Sequence, residues 1–141
     1  MSKRIKLSQD DIQLISLFEN VTHAKVKDCI VSENNDKITF VVNEGQAGIA
    51  IGKAGINVKN LEARLNKKIE IIEYSDDPLR FVSNLLRPIS VNNAYISEKS
   101  SGEKVLHASI SKGNLGMIKS KMRKVKEFLD KYHHFSEVIF D

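Results

Sequence analysis

The residues best suited to bind a ligand lie in the stretch IGKAGINVK, which begins at Ile51. Gly52 and Gly55 enclose Lys53 and Ala54, so the chain can turn sharply here and a ligand can approach the backbone closely. A helix that starts after Gly55 would direct unpaired N–H groups and the positive end of its dipole toward an anion. Lys53 adds a point charge at the tip. The pattern predicts a phosphate-binding turn, which by itself would bind weakly.

Hydrophobic periodicity places this turn within a series of short elements. A helix is predicted from about Gln9 to Glu19, with Ser8 in the position of its cap. Two strands that form a hairpin follow, one around Val26–Ile30 and one in KITFVVN. QAGIAI predicts a short helix, INVKNLEARLNKK an amphipathic helix after Gly55, and IEIIEY a strand.

The second half of the chain predicts the same order of elements. A helix begins at Pro78, with Asp77 as its cap, and Pro88 ends it. Two strands flank the turn KSSG, a helix begins near Asn114, and SEVIF forms the last strand.

The two halves align with an offset of 67 residues, which places Ile118 in the position of Ile51. Apolar positions then match one another in strands and helix, and the five matched pairs are Ile38 with Val105, Val58 with Val125, Leu61 with Phe128, Ile71 with Val138 and Ile72 with Ile139. We interpret the chain as a tandem duplication with domains at residues 1–75 and 76–141.

Composition limits the class of protein. The chain has 141 residues, 41% of them hydrophobic, which is enough for a packed core, and no apolar run long enough for a membrane helix. No signal peptide is predicted, and the lone Cys29 fits a reducing cytosol. The net charge of +4 favours polyanions weakly. The stretch SKGNLGMIKSKMRKVK contains no acid; it is either a nucleic-acid contact or a solvated helix face.

Catalytic and metal-binding functions find little support in the sequence. A P-loop requires a glycine where Ala47 stands and a hydroxyl where Ala54 stands, so nucleotide hydrolysis is not expected. His133 and His134 are adjacent at a helix end and would point in different directions. We therefore expect them to supply charge near the C-terminal end of the helix and not to bind a metal. We expect neither an enzyme nor a cofactor.

A Gly-x-x-Gly turn between two short helices, after a strand pair and before a strand, resembles a KH domain, an RNA-binding module. The helix-first order resembles the type II form. The stretches GIAIGKAGINVKNLE and FVSNLLRPISV resemble the KH pair of the NusA family in its short archaeal form, over nearly the whole chain. The resemblance implies an α+β fold of two tandem type II KH domains, each a three-stranded sheet covered by helices on one face.

The resemblance also implies site residues. Gly52, Lys53, Ala54 and Gly55 would hold the sugar-phosphate backbone of single-stranded RNA. An apolar groove for bases would be bordered by Ile49, Ile51 and Val58, although Ile51 and Val58 could simply be core. Asn57 and Lys59 would help with phosphates or form an exposed helix face. The edge of the strand at Ile69–Ile72 would offer backbone groups to bases. Aromatic stacking is not expected, because Phe and Tyr are few and mostly lie in apolar patterns.

The second turn departs from the family pattern, because Lys119-Ser120-Lys121-Met122 replaces Gly-Lys-Ala-Gly. A residue with a side chain is disfavoured in the left-handed region by roughly 1–2 kcal/mol, so the turn must change shape or the two helices partly merge. The second domain would either hold RNA loosely by charge or serve as a structural brace. The cations proposed for RNA contact there are Lys112, Lys119, Lys121 and Arg123.

Two functional classes follow from the resemblance. The first is an RNA-binding factor that contacts nascent transcript and affects transcription termination or antitermination, with RNA polymerase as a further candidate partner. The alternative is a KH-type protein of the ribosome or its assembly. Ribosomal relatives usually carry basic tails, and the end EVIFD has almost no such tail, which disfavours this alternative. A protein-interaction module is a third possibility that the intact first turn argues against. We expect a cytoplasmic monomer without membrane contact.

Overall fold

The computed structural model describes residues 9–32 and 34–141, apart from the side chains of Lys112 and Leu115. The chain forms two compact units that divide between Ser75 and Asp76, and each unit is described separately. Ser8, predicted as a helix cap, lies outside the described residues. Within the described part of the chain, no helix combines the length and the apolar character that crossing a bilayer requires.

The first unit contains three helices and three strands. In chain order these are α1 (Gln9–Thr22), β1 (Val26–Val31), β2 (Lys37–Val42), α2 (Ala47–Ile51), α3 (Ile56–Leu65) and β3 (Lys68–Glu73). A single 3-10 turn, Lys53–Gly55, separates α2 from α3. Every element of this unit that the periodicity predicts is present, and α1 continues three residues beyond the predicted end at Glu19.

The sheet of the first unit has the order β1-β2-β3. β1 pairs antiparallel with β2, as the predicted hairpin requires. β3 pairs with β2 in parallel, with Ile38 opposite Ile69 and Phe40 opposite Ile71. Because a parallel neighbour needs a crossover connection, the segment from α2 to α3 must pass over one face of the sheet. This crossover carries the Gly-x-x-Gly turn.

The core of the first unit lies between the sheet and its helices. Phe18 of α1 and Phe40 of β2 are fully buried, and their ring centroids are 4.2 Å apart. Ala50 of α2 and Leu61 of α3 reach the same cluster. One residue from each of the crossover helices is therefore anchored in the core, and this fixes where the turn between them lies.

The second unit contains α4 (Pro78–Leu86), β4 (Val91–Glu98), β5 (Lys104–Ile110), α5 (Leu115–His133) and β6 (Phe135–Phe140). Its sheet has the order β4-β5-β6, with β4 antiparallel and β6 parallel to the central β5. As predicted, Asp77 caps α4 by accepting a hydrogen bond from the N–H of Leu79, and Pro78 is the first helical residue. The fold is thus α+β, with two units of the same topology.

The core of the second unit is built by α4 and α5. Phe81 and Leu85 of α4, Leu106 of β5, and Val125 and Leu129 of α5 are all fully buried. α4 packs against both α5 and β4. The helices lie on the face of the sheet to which Leu106, Ala108 and Ile110 point, since alternate residues of a strand share a face.

The offset of 67 residues maps β3 onto β6 end to end. It also pairs buried Leu61 with buried Phe128. Ile38 and Val105 are both buried, but Ile38 faces its helices and Val105, next to Leu106, faces the opposite side of its sheet. The offset of 67 was set by aligning Ile51 with Ile118, and these two residues do not match in burial. Ile51 is 41% exposed, whereas Ile118 is buried. Ala50 is the buried residue of α2, so this helix matches α5 with an offset of 68. The interruption at Gly52 lets α2 take its own orientation, which a continuous helix cannot do.

Candidate nucleic-acid interface

The backbone between α2 and α3 turns through conformations that favour glycine. Gly52 has φ 78° and ψ 168°, and Gly55 has φ 74° and ψ 19°. The N–H of Gly52 donates to the carbonyl of Gly48 and ends α2, and the N–H of Gly55 donates to the carbonyl of Gly52. Ala54 also adopts the left-handed region, with φ 56°. The sequence therefore places both glycines where the turn needs them, together with one residue that is strained.

Asn57 closes the turn from the side of α3. Its side-chain Nδ2 donates a hydrogen bond of 3.0 Å to the carbonyl of Ile49 in α2. A Cβ on Gly52 would lie 2.8 Å from this Nδ2 and 2.9 Å from Cγ of Asn57. Gly52 is therefore required both by its own backbone angles and by the path of the amide. The sequence predicts that Asn57 helps with phosphates or lies on an exposed helix face; in the structure its Nδ2 donates to the protein itself.

The electrostatic character of the turn is positive. Lys53 and Lys59 are exposed, and neither forms an ion pair within the described part of the chain. Asp and Glu are absent between Gly45 and Leu61 in the sequence. Gly55 precedes α3 and supplies no side-chain cap, so the first turn of that helix presents backbone N–H groups and a positive dipole end without an internal anion.

An apolar border surrounds the turn. Ile49 is 50% exposed, Ile51 41% and Ile56 52%. Exposed isoleucines in a group are uncommon on a surface without a partner. Ile51 is therefore not a core residue, whereas Val58 is half-buried and is the least available of the predicted groove residues. Sequence analysis missed Ile56; an apolar residue directly after Gly55 was the signal for it.

β3 lies at the edge of the first sheet, bonded to β2 on one side. Ile69 and Ile71 are half-buried and pack toward the core, and Ile72 is buried. α2 contacts β3 directly. This arrangement places the edge of the predicted strand on the side of the unit where α2 carries Ile49 and Ile51.

In the second unit no turn interrupts the helix. Residues 119–122 lie inside α5, whose 19 residues equal in number the whole segment from α2 to α3. The interpretation of merged helices is the correct one, and the merger is complete. Residues in the left-handed region would be disfavoured without glycine, whereas Lys and Met are good helix formers.

Three of the four cations predicted in the second unit, Lys119, Lys121 and Arg123, lie in α5. Lys119 and Arg123 are exposed on α5, and with exposed Lys126 they follow the i, i+4, i+7 spacing of one helix face. Lys121 is half-buried. Lys112 begins the 3-10 turn Lys112–Asn114 that precedes α5, and nothing further is described of it. The structure thus gathers three cations into a stripe, which we call the α5 stripe: Lys119, Arg123 and Lys126.

The adjacent histidines take different structural positions at the end of α5. The His133 ring centroid lies 5.6 Å from that of Phe81, in an edge-on contact with the core. His134 has φ 61° and ends the helix, and its N–H donates to the carbonyl of Asp130. Both residues are accounted for by packing and helix termination.

Comparison with known proteins agrees with this architecture. A family model described as KH domain matches residues 13–127. The chain is 46% identical over 95 residues to the probable transcription termination protein NusA of Methanococcus vannielii, covering 67% of this chain and 54% of that protein. It is 38% identical over 93 residues to the protein of that name from Methanocaldococcus jannaschii, covering 50% of it.

Two further proteins are matched over a larger share of their own length. The probable transcription termination protein NusA of Halococcus morrhuae is 37% identical over 114 residues, which cover 81% of this chain and 79% of that protein. A crystal structure of APE1850 superposes with a TM-score of 0.78 and 29% identity, covering 96% of this chain and all of that one. The chain matches about half the length of the two methanogen relatives.

Two units of one topology, the first with a glycine turn between crossover helices, define a tandem type II KH protein. The chain belongs to the KH domain family, and within it to the archaeal NusA-like proteins.

Proposed function

We propose that the chain binds single-stranded RNA through the turn at Gly52–Gly55 and acts on transcription as a NusA-like termination or antitermination factor. The observation that carries this proposal is the open, acid-free turn, in which exposed Lys53 stands beside the uncapped start of α3. Backbone N–H groups and a cation together favour a phosphate. The protein acts by binding and not as an enzyme.

The phosphate backbone would pass over the turn while bases reach the apolar border. Gly52 and Gly55 have no side chain, so a sugar-phosphate chain can approach the backbone there. Ile49, Ile51 and Ile56 offer apolar surface to the flat faces of bases, and the edge of β3 offers backbone groups to base edges. Lys59 adds charge one helical turn further along α3, whereas Asn57 holds the turn in place.

In the second unit, the α5 stripe would contact phosphates without a glycine turn. Lys119 and Lys126 are seven residues apart, which separates their positions by about 10 Å along the helix axis. Contacts of this kind are electrostatic and do not select a sequence. Lys112 and Lys121 would add charge at the flanks. We therefore propose that the second unit holds RNA by charge and is more than a brace.

The names of the relatives support transcription over the ribosome. All three archaeal proteins compared are called probable transcription termination proteins. We propose that the chain acts in the cytoplasm on nascent RNA, with RNA polymerase as a partner, and as a monomer. Purification of the tagged chain from cells should recover polymerase subunits; recovery of ribosomal particles instead would support the alternative of a ribosome-associated protein.

The turn itself is tested by the double variant Lys53→Asp/Ala54→Asp. Its carboxylates should repel phosphate and reduce the affinity for a single-stranded RNA by at least about tenfold, or 1.4 kcal/mol. The matched control is Ala63→Asp/Arg64→Asp, which makes the same change of charge at exposed positions near the other end of α3. Both variants should melt cooperatively. Equal affinities of the folded variants would refute the proposed site.

A further inference from the structure

A pair of stacked rings lies on the face of the second sheet that the helices leave open. Tyr95 of β4 is directly opposite His107 of β5 in the antiparallel register. Their ring centroids are 4.4 Å apart and the ring planes differ by 4°. Leu106, Ala108 and Ile110 point to the helices, so His107 and its neighbour Tyr95 belong to the opposite face.

The histidine ring is held in place by the sheet. Oγ of Ser97 lies 2.8 Å from Nε2 of His107, within hydrogen-bonding distance. Ser97 is two residues after Tyr95 and so shares its face of β4. Because His107 is half-buried and restrained, it gives the Tyr95 ring a fixed orientation before any ligand arrives.

Tyr95 is nevertheless 51% exposed. Since His107 covers one face of its ring, the exposed surface includes the opposite face. The Tyr95 hydroxyl has no hydrogen-bond partner within residues 9–32 and 34–141. Tyr95 is thus an exception to the apolar patterns in which most Phe and Tyr residues were expected, and core packing does not account for its position.

We propose that Tyr95 is a stacking platform for an unpaired nucleobase of RNA. This inference rests on the proposed function and adds a base site in the second unit, which has no glycine turn. Bases stack on aromatic rings regardless of sequence. The exposed amide of Asn93, two residues before Tyr95 on the same face, and the hydroxyl of Ser109 opposite it can both donate and accept hydrogen bonds, as base edges require.

Charge favours RNA over a protein as the occupant. Residues 76–141 contain 11 Lys and Arg against 8 Asp and Glu, so most of the net charge of +4 lies in this unit, which lacks a glycine turn. On the open face, Glu137 of β6 lies opposite Val105 and is paired with Lys99 at 3.3 Å. This ion pair places a cation beside the Glu137 carboxylate on the open face, which lessens its repulsion of phosphates that flank a stacked base.

The chain contains no tryptophan, so Tyr95→Trp supplies a single fluorescent reporter at the platform. Titration with an oligoadenosine of about 12 nucleotides should quench its emission, because a base stacks directly on the indole. The matched control is Ile96→Trp, at a position 43% exposed on the other face of the same strand; its emission should change little. Quenching at both positions or at neither would overturn the platform.

Affinity measurements provide the second readout. Tyr95→Ala should weaken binding of the oligoadenosine by about fivefold or more, whereas Tyr95→Phe should retain it. An abasic strand of the same length should bind the parent and Tyr95→Ala equally, since it has no base to stack. Because Tyr95 is exposed, we expect thermal melting to confirm that both variants fold.

The results separate this inference from the proposed function. If acids at Lys53 and Ala54 abolish binding but the Tyr95 variants show neither quenching nor weakening, the platform is wrong and the glycine turn stands. If the open face of the second sheet binds a protein instead of RNA, the Tyr95 variants should likewise show neither quenching nor weakened RNA binding. If the parent binds no single-stranded RNA, both proposals are wrong.

Discussion

The side-chain amide of Asn57 passes the α-carbon of Gly52 and donates a 3.0 Å hydrogen bond to the carbonyl of Ile49. This single contact joins α3 to α2 across the turn. It explains why the residue at 52 must be glycine for a reason beyond its φ of 78°: a Cβ would lie 2.8 Å from the amide nitrogen. The shape of the turn thus depends on two residues five positions apart.

Gly52→Ala should therefore destabilise the first unit. The left-handed backbone disfavours alanine by roughly 1–2 kcal/mol, and the displaced amide adds the loss of a hydrogen bond worth about 1 kcal/mol. Urea unfolding should show a decrease of about 2–3 kcal/mol in the free energy of unfolding. The control is Gly48→Ala within α2, where a Cβ meets open space; it should be neutral or stabilise by up to about 1 kcal/mol. Equal effects of the two changes would contradict this account.

The contribution of the amide can be isolated with a double-mutant cycle. Asn57→Ala alone should decrease the free energy of unfolding by about 0.5–1.5 kcal/mol, because the hydrogen bond to the Ile49 carbonyl is lost. In that background Gly52→Ala meets no amide, so it should be less destabilising than in the parent by about 1 kcal/mol. Additive effects would show that the two residues are not coupled.

Ala54 is the strained residue of the turn, with φ 56°. Ala54→Gly relieves the strain of the left-handed region but increases the freedom of the unfolded chain, and the two effects oppose each other. We expect a net increase of up to about 1 kcal/mol in the free energy of unfolding. Ala54→Val should decrease it, because a β-branched residue is more strongly disfavoured there. Thermal melting of the pair checks both signs, and a stabilising valine would be inconsistent with the described backbone.

The α5 stripe should determine part of the salt dependence of RNA binding. Each phosphate contact contributes about 0.7 to the slope of log affinity against log salt on single strands. Replacing Lys119, Arg123 and Lys126 with glutamine should reduce that slope by about 2. A control that replaces Lys25, Arg64 and Lys104, which are exposed elsewhere, should change it less. An unchanged slope for the stripe variant would favour a second unit that serves as a brace.

Much of the fold could be predicted from local patterns. Alternation and turn residues predicted the strands, and the Asp77–Pro78 pair predicted both the start and the cap of α4, because capping depends on residues that are neighbours in sequence. The parallel pairing of β3 with β2 was not read from any of these patterns, since it joins strands separated by two helices. Only the structure shows this pairing.

The site was predicted less completely than the fold. Gly52, Lys53 and Gly55 follow from their own properties, namely backbone freedom and charge. The exposure of Ile56 and the hydrogen bond from Asn57 to the Ile49 carbonyl could not be predicted, because both depend on how α2 meets α3. The exposure of Tyr95 could not be predicted for a similar reason: an aromatic residue between apolar neighbours indicates a strand but does not tell which face is covered.

The two crossover segments, from α2 to α3 in the first unit and α5 in the second, differ in ways that depend partly on sequence and partly on tertiary structure. By itself the sequence determined that residues 52–55 turn and that residues 119–122 cannot form the same turn, because glycine alone enters the left-handed region freely. Only the structure decided between a reshaped turn and merged helices at residues 119–122. Tertiary structure decided which side chains face the core and which face a ligand. Ala50 is buried while Ile49 and Ile51 are exposed, since the orientation of α2 depends on its packing against the sheet and α3, and no local propensity specifies that packing.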